Sequence, residues 1–285
     1  ALGILELKRS KVGVTEGIRQ NLDNQKATFI RDFFTTIQLV MAGNDSQGLR
    51  YGTIETTEKY YLGWKEENPD YNSKIDTRDK KYLNTLNCEC QGENISGVLD
   101  CDIIRLLNKK RFLELIHDFI VYDSGTKKTC RQNQYFGIKK AQEHIARREG
   151  GIIWHTQGSG KTALAFYNVK HLTDYYQSQG IIPKFYFVVD RLDLALQAQR
   201  EFLARDLIVK VISSKEEFSR LIKSNTVIHN DSGKPEITVV NIHKFQDDPE
   251  IPKTDDYDLG VQRIFFLDEV HRSYNPTGSF LANLQ

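Results

Sequence analysis

The stretch "GGIIWHTQGSGKTALAF", residues 150–166, decides the fold. Its opening, Ile152-Ile153-Trp154-His155, is short and apolar and reads as a buried strand. Its middle, Gly158-Ser159-Gly160-Lys161-Thr162, is a glycine loop, and Gly160 to Tyr175 reads as a helix. Strand, glycine loop and helix in that order form the context in which backbone N–H groups cradle a phosphate. Gly158 and Gly160 let the main chain come close to phosphate oxygens. The start of the helix adds the positive end of its dipole. Lys161 supplies a point charge for the outer phosphates and Thr162 a hydroxyl for Mg2+. Thr156, Gln157 and Ser159 complete the loop. His155 stands where the pattern G-x-x-x-x-G-K-[ST] has its first glycine, so a plain glycine turn before a helix stays open at this point.

Downstream, apolar strands alternate with amphipathic helices. "KFYFVVD" is followed by a helix over Leu192–Leu203, "LIVKVI" by one over Glu216–Ile222, and "EITVVNI" and "RIFFLDE" are further strands. Such alternation predicts an α/β fold with a doubly wound parallel sheet and right-handed crossovers. The last strand delivers Asp268-Glu269-Val270-His271 at its carboxyl end, the edge where ligands sit in open α/β sheets. Asp268 there suits Mg2+, Glu269 suits the orientation or deprotonation of an attacking water, and His271 suits contact near a terminal phosphate. A solvated turn is the alternative for this run taken alone. Together with the loop it predicts a site for ATP and Mg2+.

Upstream, "RQNQYFGIKKAQEHIARR" reads as a helix and "RFLELIHDFIVYD" as helix-like. Residues 66–110 are polar and charged, an insertion or linker with a short helix near Ile103–Leu107. Residues 1–65 are a mixed α/β piece. Leu2–Leu7 is a strand and "VTEGIRQNLDNQ" a helix, while "TIQLVMA" and "RYGTIET" are strands around the turn cluster "GNDSQG". On the first strand, alternation puts Glu6 and Lys8 on one face. A carboxylate and a lysine so placed suit metal-dependent phosphodiester cleavage, the carboxylate holding Mg2+ and the lysine activating water or stabilising phosphorane charge. A solvated strand gives the same pattern.

Bulk properties narrow the classes. The chain has 285 residues, 27 % of them charged, and a formal net charge of +1. There is no global polybasic signature, so nucleic acid must be met by local patches. No run approaches the roughly 18 apolar residues of a membrane span. Four cysteines and nothing like a signal peptide suggest a reducing cytoplasm. Cys88, Cys90 and Cys101 lack the paired spacing of a zinc site, and no nearby histidine completes a set. Both ends read as the interior of a longer chain.

"DEVH" with "GSGKT" resembles motifs II and I of superfamily 2 helicases and translocases, and "WHTQGSGKT" (residues 154–162) matches a loop variant in which His155 is a family mark. The resemblance implies a RecA-like first motor domain. It also implies that Gln134 reads the adenine edge, although a plain helix-surface glutamine is the alternative. Arg191 in "VVDRLDLALQAQREF" and His243 and Lys244 in "TVVNIHKFQ" resemble segments that contact the nucleic-acid backbone, with solvated loop ends as the alternative. "LGILELKRSKVGVTEGIRQNLDNQ" with its sequel resembles the C-terminal half of the nuclease domain in the motor (R) subunit of type I restriction enzymes. That implies a PD-(D/E)xK-like nuclease piece at 1–65, a linker at 66–110 and the first RecA-like domain at 111–285. Glu6, Lys8 and Gln20 would be catalytic, with Asn24 standing where some members carry tyrosine. It also implies an aspartate before residue 1 and a second RecA-like domain after residue 285. The implied partners are duplex DNA and the modification and specificity subunits, in a bacterial or archaeal cytoplasm. A DExH-box helicase of another branch, or a nucleotide-gated scaffold, would share the loop and the DEVH run.

Overall fold

The structure is a computed structural model and describes residues 1–64, 97–156, 158–212, 214–223, 235–241 and 260–268. The chain divides into two compact units, one of residues 1–121 and 126–135 and the other of residues 122–125 and 136–285.

The first unit is built on a four-stranded sheet in the order β1 (Gly3–Leu7), β2 (Leu39–Asn44), β3 (Gly48–Gly52), β4 (Leu62–Gly63). β1 and β2 are parallel, joined through helix α1 (Val14–Asn24), and the remaining pairs are antiparallel. β2 is buried along its whole length, so its run of apolar residues needs cover on both faces. On one face Val14 and Ile18 of α1 pack on Ala42. On the same face, two residues along β2, Val40 forms a second cluster with Phe34, Ile37, Ile4 and Ile54, and Tyr61 packs against both clusters. Helix α2 (Val98–Leu107) packs against β3, where Asp102 Oδ2 accepts the N–H of Leu49 at 3.0 Å. Helix α3 (Lys109–Asp118) follows, its N-cap Asn108 accepting from Lys110 and Arg111. Trp64 is fully buried, with its ring 6.0 Å from that of Tyr51 and 5.4 Å from that of Tyr135. The Arg111 guanidinium lies 5.3 Å over the same indole.

A hairpin of β5 (Ile120–Asp123) and β6 (Thr126–Thr129) turns on Ser124 and Gly125, both at positive φ (51° and 81°). That is the combination a tight two-residue hairpin requires. The end of "RFLELIHDFIVYD", expected to be helical, is therefore strand. Phe119 leaves helical geometry at φ −116°, ψ 6°, and the β-branched residues after it pair with β6. Helix α4 (Gln132–Ala146) follows.

The second unit carries a parallel sheet in the order β10 (Val261–Leu267), β7 (Ile182–Val189), β9 (Glu236–Asn241), β8 (Ile208–Ile212). Helices α5 (Lys161–Gln177), α6 (Leu192–Ala204) and α7 (Lys215–Lys223) alternate with the strands, as expected. α5 packs against β7 and α6. Tyr186, Val188, Ile212, Phe218 and Val240 form a core, and Tyr186 stacks on Phe265 at 4.8 Å. One expectation is corrected. Residues 151–156 are not in a strand, and Ile152 (85 % exposed) and Trp154 (86 %) face outward. Apolar character marks a segment able to pair, but a strand exists only with a ladder partner, and no described strand pairs with this one. Among the described residues no helix is long and apolar enough to cross a membrane.

Candidate functional site

In the first unit, Glu6 and Lys8 lie on one face of β1, as alternation requires. Lys8 Nζ donates to Glu6 Oε1 at 3.0 Å and also to Gln20 Oε1, reaching from α1. The side chains of Lys8 and Glu6 are 19 % and 23 % exposed, and Gln20 is exposed. The backbone N–H of Lys8 bonds Gly43 O at 2.9 Å, which extends the β1–β2 pairing one residue beyond the strand. The site therefore has a lysine between a carboxylate and a carboxamide, open to solvent on one side. Glu6 Oε1 is occupied by the ammonium, and no described residue donates to Oε2. That second oxygen is a hard donor of the kind Mg2+ takes. Asn24, in the tyrosine position of some relatives, ends α1. A cleft of about 770 Å³ opens nearby, lined by Val14, Ile18, Gln47, Arg50, Lys59 and Tyr61 among others, but none of the three candidate residues lines it.

In the second unit, the loop before α5 has the backbone a phosphate cradle needs. Gly158 (φ 75°) and Gly160 (φ 86°) both adopt the left-handed region, and a β-carbon on Gly158 would enter open space. Ser159 is buried, its N–H bonded to Thr156 O at 3.2 Å, while Thr156 is exposed. Lys161 and Thr162 form the first turn of α5, and no side chain caps it at Gly160. This geometry fits a phosphate chain. α5 has 17 residues and β7 has 8, lengths of about 25 Å each at 1.5 and 3.3 Å per residue. Because α5 runs back to the start of β7, its N-terminus lies at the carboxyl edge of the sheet. Asp268 follows directly on β10 at that same edge, its N–H bonded to Val188 O at 2.9 Å.

His155 is half-buried beside the loop, its Nδ1 enclosed with no hydrogen-bond partner among the described residues. Burial, and secondarily the charge of Lys161, hold its pKa below the ordinary 6.5. It packs toward Gly137 of α4, where a β-carbon would lie 3.6 Å from the imidazole.

The other expected residues are placed as follows. Gln134 is buried, and its Oε1 accepts the N–H of Arg131 at 2.9 Å while its own N–H returns to Arg131 O at 3.0 Å. This reciprocal pair caps the start of α4, a structural task that "helix-surface glutamine" did not describe. Arg191 is the N-cap of α6 at the end of β7, half exposed, with Nε 3.9 Å from Asp190 and 4.0 Å from Asp193. Gln157, His243, Lys244, Glu269 and His271 lie outside the described residues, as do Cys88 and Cys90. Cys101 is a free thiol on α2. The sequence reading missed Gly17 and Asn21, both buried on α1, and Gly137; only glycines and a polar residue within helical patterns signalled them.

A phosphate-cradling loop before a helix, set at the carboxyl edge of a parallel sheet, defines the class: a nucleotide-binding α/β domain. The comparisons agree. Residues 133–284, more than half of the chain, match the SWI2/SNF2 ATPase family, and residues 1–59 match the type I restriction enzyme R protein N terminus. The MjaVIIP endonuclease subunit of a type I restriction enzyme from Methanocaldococcus jannaschii is 35 % identical over 46 % of this chain and 14 % of its own length. The MjaIXP endonuclease subunit of the same organism is 26 % identical over 100 % of this chain and 27 % of its own length. The C-terminal part of the MpnIIP endonuclease subunit from Mycoplasma pneumoniae is 30 % identical over 59 % of this chain and 84 % of its own length. The chain belongs to the family of type I restriction enzyme endonuclease (R) subunits, with a SWI2/SNF2 ATPase domain in its second half. It spans about a quarter or less of the length of the first two relatives.

Proposed function

We propose that the chain takes part in ATP-dependent movement of duplex DNA coupled to Mg2+-dependent endonucleolytic cleavage, within a cytoplasmic complex that includes modification and specificity subunits. The observation that carries this reading is the Glu6–Lys8–Gln20 contact in one unit together with the phosphate-cradling loop in the other. We assign residues 1–65 to the end of the PD-(D/E)xK-like nuclease domain, 66–110 to a connection whose α2 packs on β3, and 111–285 to the first RecA-like domain, of which residues 111–121 and 126–135 lie in the first compact unit.

At the nuclease site Glu6 would hold Mg2+, which when bound supplies Lewis-acid stabilisation of the cleaved phosphate. Lys8 places a positive charge beside that carboxylate, where an attacking water or a phosphorane oxygen would sit, and Gln20 holds the ammonium in place. At the motor site the N–H groups of Gly158 to Lys161 would receive the phosphates of ATP, with Lys161 opposing the outer charge. Thr162 and Asp268 would hold the Mg2+ of the nucleotide. Glu269 would orient water, and His271 would sense the terminal phosphate. Gln134 is proposed at the adenine, subject to its capping bond. Arg191, His243 and Lys244 are proposed on the DNA backbone.

Separate variants test the reading in the full R subunit within its complex. Lys8→Ala should abolish cleavage and keep ATPase stimulated by duplex DNA. Lys161→Ala should abolish both. Stimulation by RNA instead of duplex DNA would favour a helicase of another branch, and nucleotide binding without turnover would favour a scaffold.

A further inference from the structure

We infer that Gly17 and Asn21, one turn apart on α1, are positioning residues that set the distance between Gln20 and Lys8. The inference rests on the nuclease reading above and adds to it. Gly17 is a point of close approach between helix and sheet. A β-carbon there would stand 3.2 Å from Ala42 Cβ and 3.4 Å from both Glu6 Cγ and Lys8 Cγ. It would crowd Ala42, tighter than an ordinary contact, while just touching the stems of both candidate catalytic side chains, so the helix would have to shift away from β2. Asn21 is fully buried, and its Nδ2 donates to Met41 O at 2.9 Å. Met41 belongs to β2 and pairs with Leu5 of β1, within the strand that carries Glu6. The helix is therefore tied to the sheet by a close contact at Gly17 and by a hydrogen bond at Asn21. Gln20 lies between them, aimed at Lys8.

Neither residue belongs at its position for local reasons. Glycine weakens a helix interior, and asparagine is a poor helix former. Asn21 Oδ1 is also buried with no partner among the described residues, a feature that calls for an explanation beyond stability. A leucine at position 21 would remove that unbonded oxygen and keep the volume, but it would lose the tie to Met41.

The test uses the full R subunit in its complex and measures DNA cleavage across a Mg2+ titration, DNA-stimulated ATPase and thermal melting. Gly17→Ala and Asn21→Leu should each lower cleavage on the order of ten- to a hundred-fold, as small displacements of catalytic groups do. Half-maximal cleavage should need more Mg2+, the ATPase should be unchanged, and Asn21→Leu, which removes the unbonded oxygen but leaves Met41 O without its amide donor, should melt close to the parent while losing far more cleavage. The double variant Gly17→Ala/Ala42→Gly removes the facing β-carbon and should recover cleavage although Ala42→Gly alone weakens β2. A role in folding alone predicts the opposite, with the double variant worse than either single one. Near-parental cleavage in Asn21→Leu and Gly17→Ala, with Lys8→Ala inactive, overturns the inference. Intact cleavage in Lys8→Ala overturns the nuclease reading itself. If Gly17→Ala fails to fold, Asn21→Leu and the double variant decide the matter.

Discussion

The imidazole of His155 lies 3.6 Å from where a β-carbon on Gly137 would stand, and Leu164 Cδ1 lies 3.0 Å from the same point. Gly137 thus lets α4 close on both the phosphate loop and the first turns of α5. An alanine there meets only the movable end of Leu164. A leucine would have to displace the imidazole or the helix, an overpacking that costs about 1–3 kcal/mol. Gly137→Ala should keep nucleotide affinity, whereas Gly137→Leu should weaken it and lower the melting temperature. Nucleotide titration and calorimetry on both variants check this, and equal affinity in the two would remove His155 from any part in holding the loop.

The same burial makes His155 an acid-sensitive point. Its folded pKa is lowered by desolvation first and by Lys161 second. The unfolded chain takes up the proton at about pH 6.5. Between that value and the lower folded one, the unfolded state binds more protons, so stability falls as pH falls. Above that window both states are neutral and His155 adds no slope. His155→Gln should therefore flatten the melting-temperature profile below pH 6.5 and leave it unchanged above. Identical profiles would refute the assignment, as would a His155 NMR titration midpoint at or above 6.5.

The ATPase half was the more legible part because its information is local. The apolar run "KFYFVVD" and the helical pattern over Leu192–Leu203 correspond to β7 and α6 within two residues at each end. Glu6 and Lys8 were legible from alternation alone, whereas Gln20 came only through a family resemblance, since its contact spans a loop. Ile152–Trp154 were misread because an apolar run states what a segment can bury and not which strand receives it. Gly17, Asn21 and Gly137 stayed hidden for a related reason. Each is explained by a neighbour from another element, such as Ala42, Met41 or Leu164, and no local pattern encodes that neighbour.

Trp64 anchors the first unit, fully buried between Tyr51 and Tyr135 under the Arg111 guanidinium. Truncation at a packed aromatic costs about 3–5 kcal/mol. Trp64→Ala should unfold the first unit at markedly lower denaturant, and Trp64→Phe should cost less. Denaturant melts followed by a signal from the first unit give the measurement. A loss under about 1 kcal/mol for Trp64→Ala would show that the ring stack carries little of the unit's stability.

Arg191 offers an electrostatic test of the DNA reading. Its guanidinium is 51 % exposed, with the carboxylates of Asp190 and Asp193 at 3.9 and 4.0 Å. Asp190 is buried and Asp193 exposed, but both carboxylates stand at the outer limit of ion pairing and the guanidinium is half exposed, so its charge stays available to a phosphate. Asp193 is 71 % exposed and opposes any such contact. Arg191→Ala should weaken duplex DNA binding in all sequences alike and reduce the salt slope by about one. Asp193→Asn should shift affinity the other way, tightening binding at low salt and losing the gain as ionic strength rises. The two variants therefore predict opposite signs from adjacent charges on one exposed helix start. Binding measured across a salt series decides it. If Arg191→Ala leaves the slope unchanged, or if both variants weaken binding, the start of α6 is not a phosphate contact.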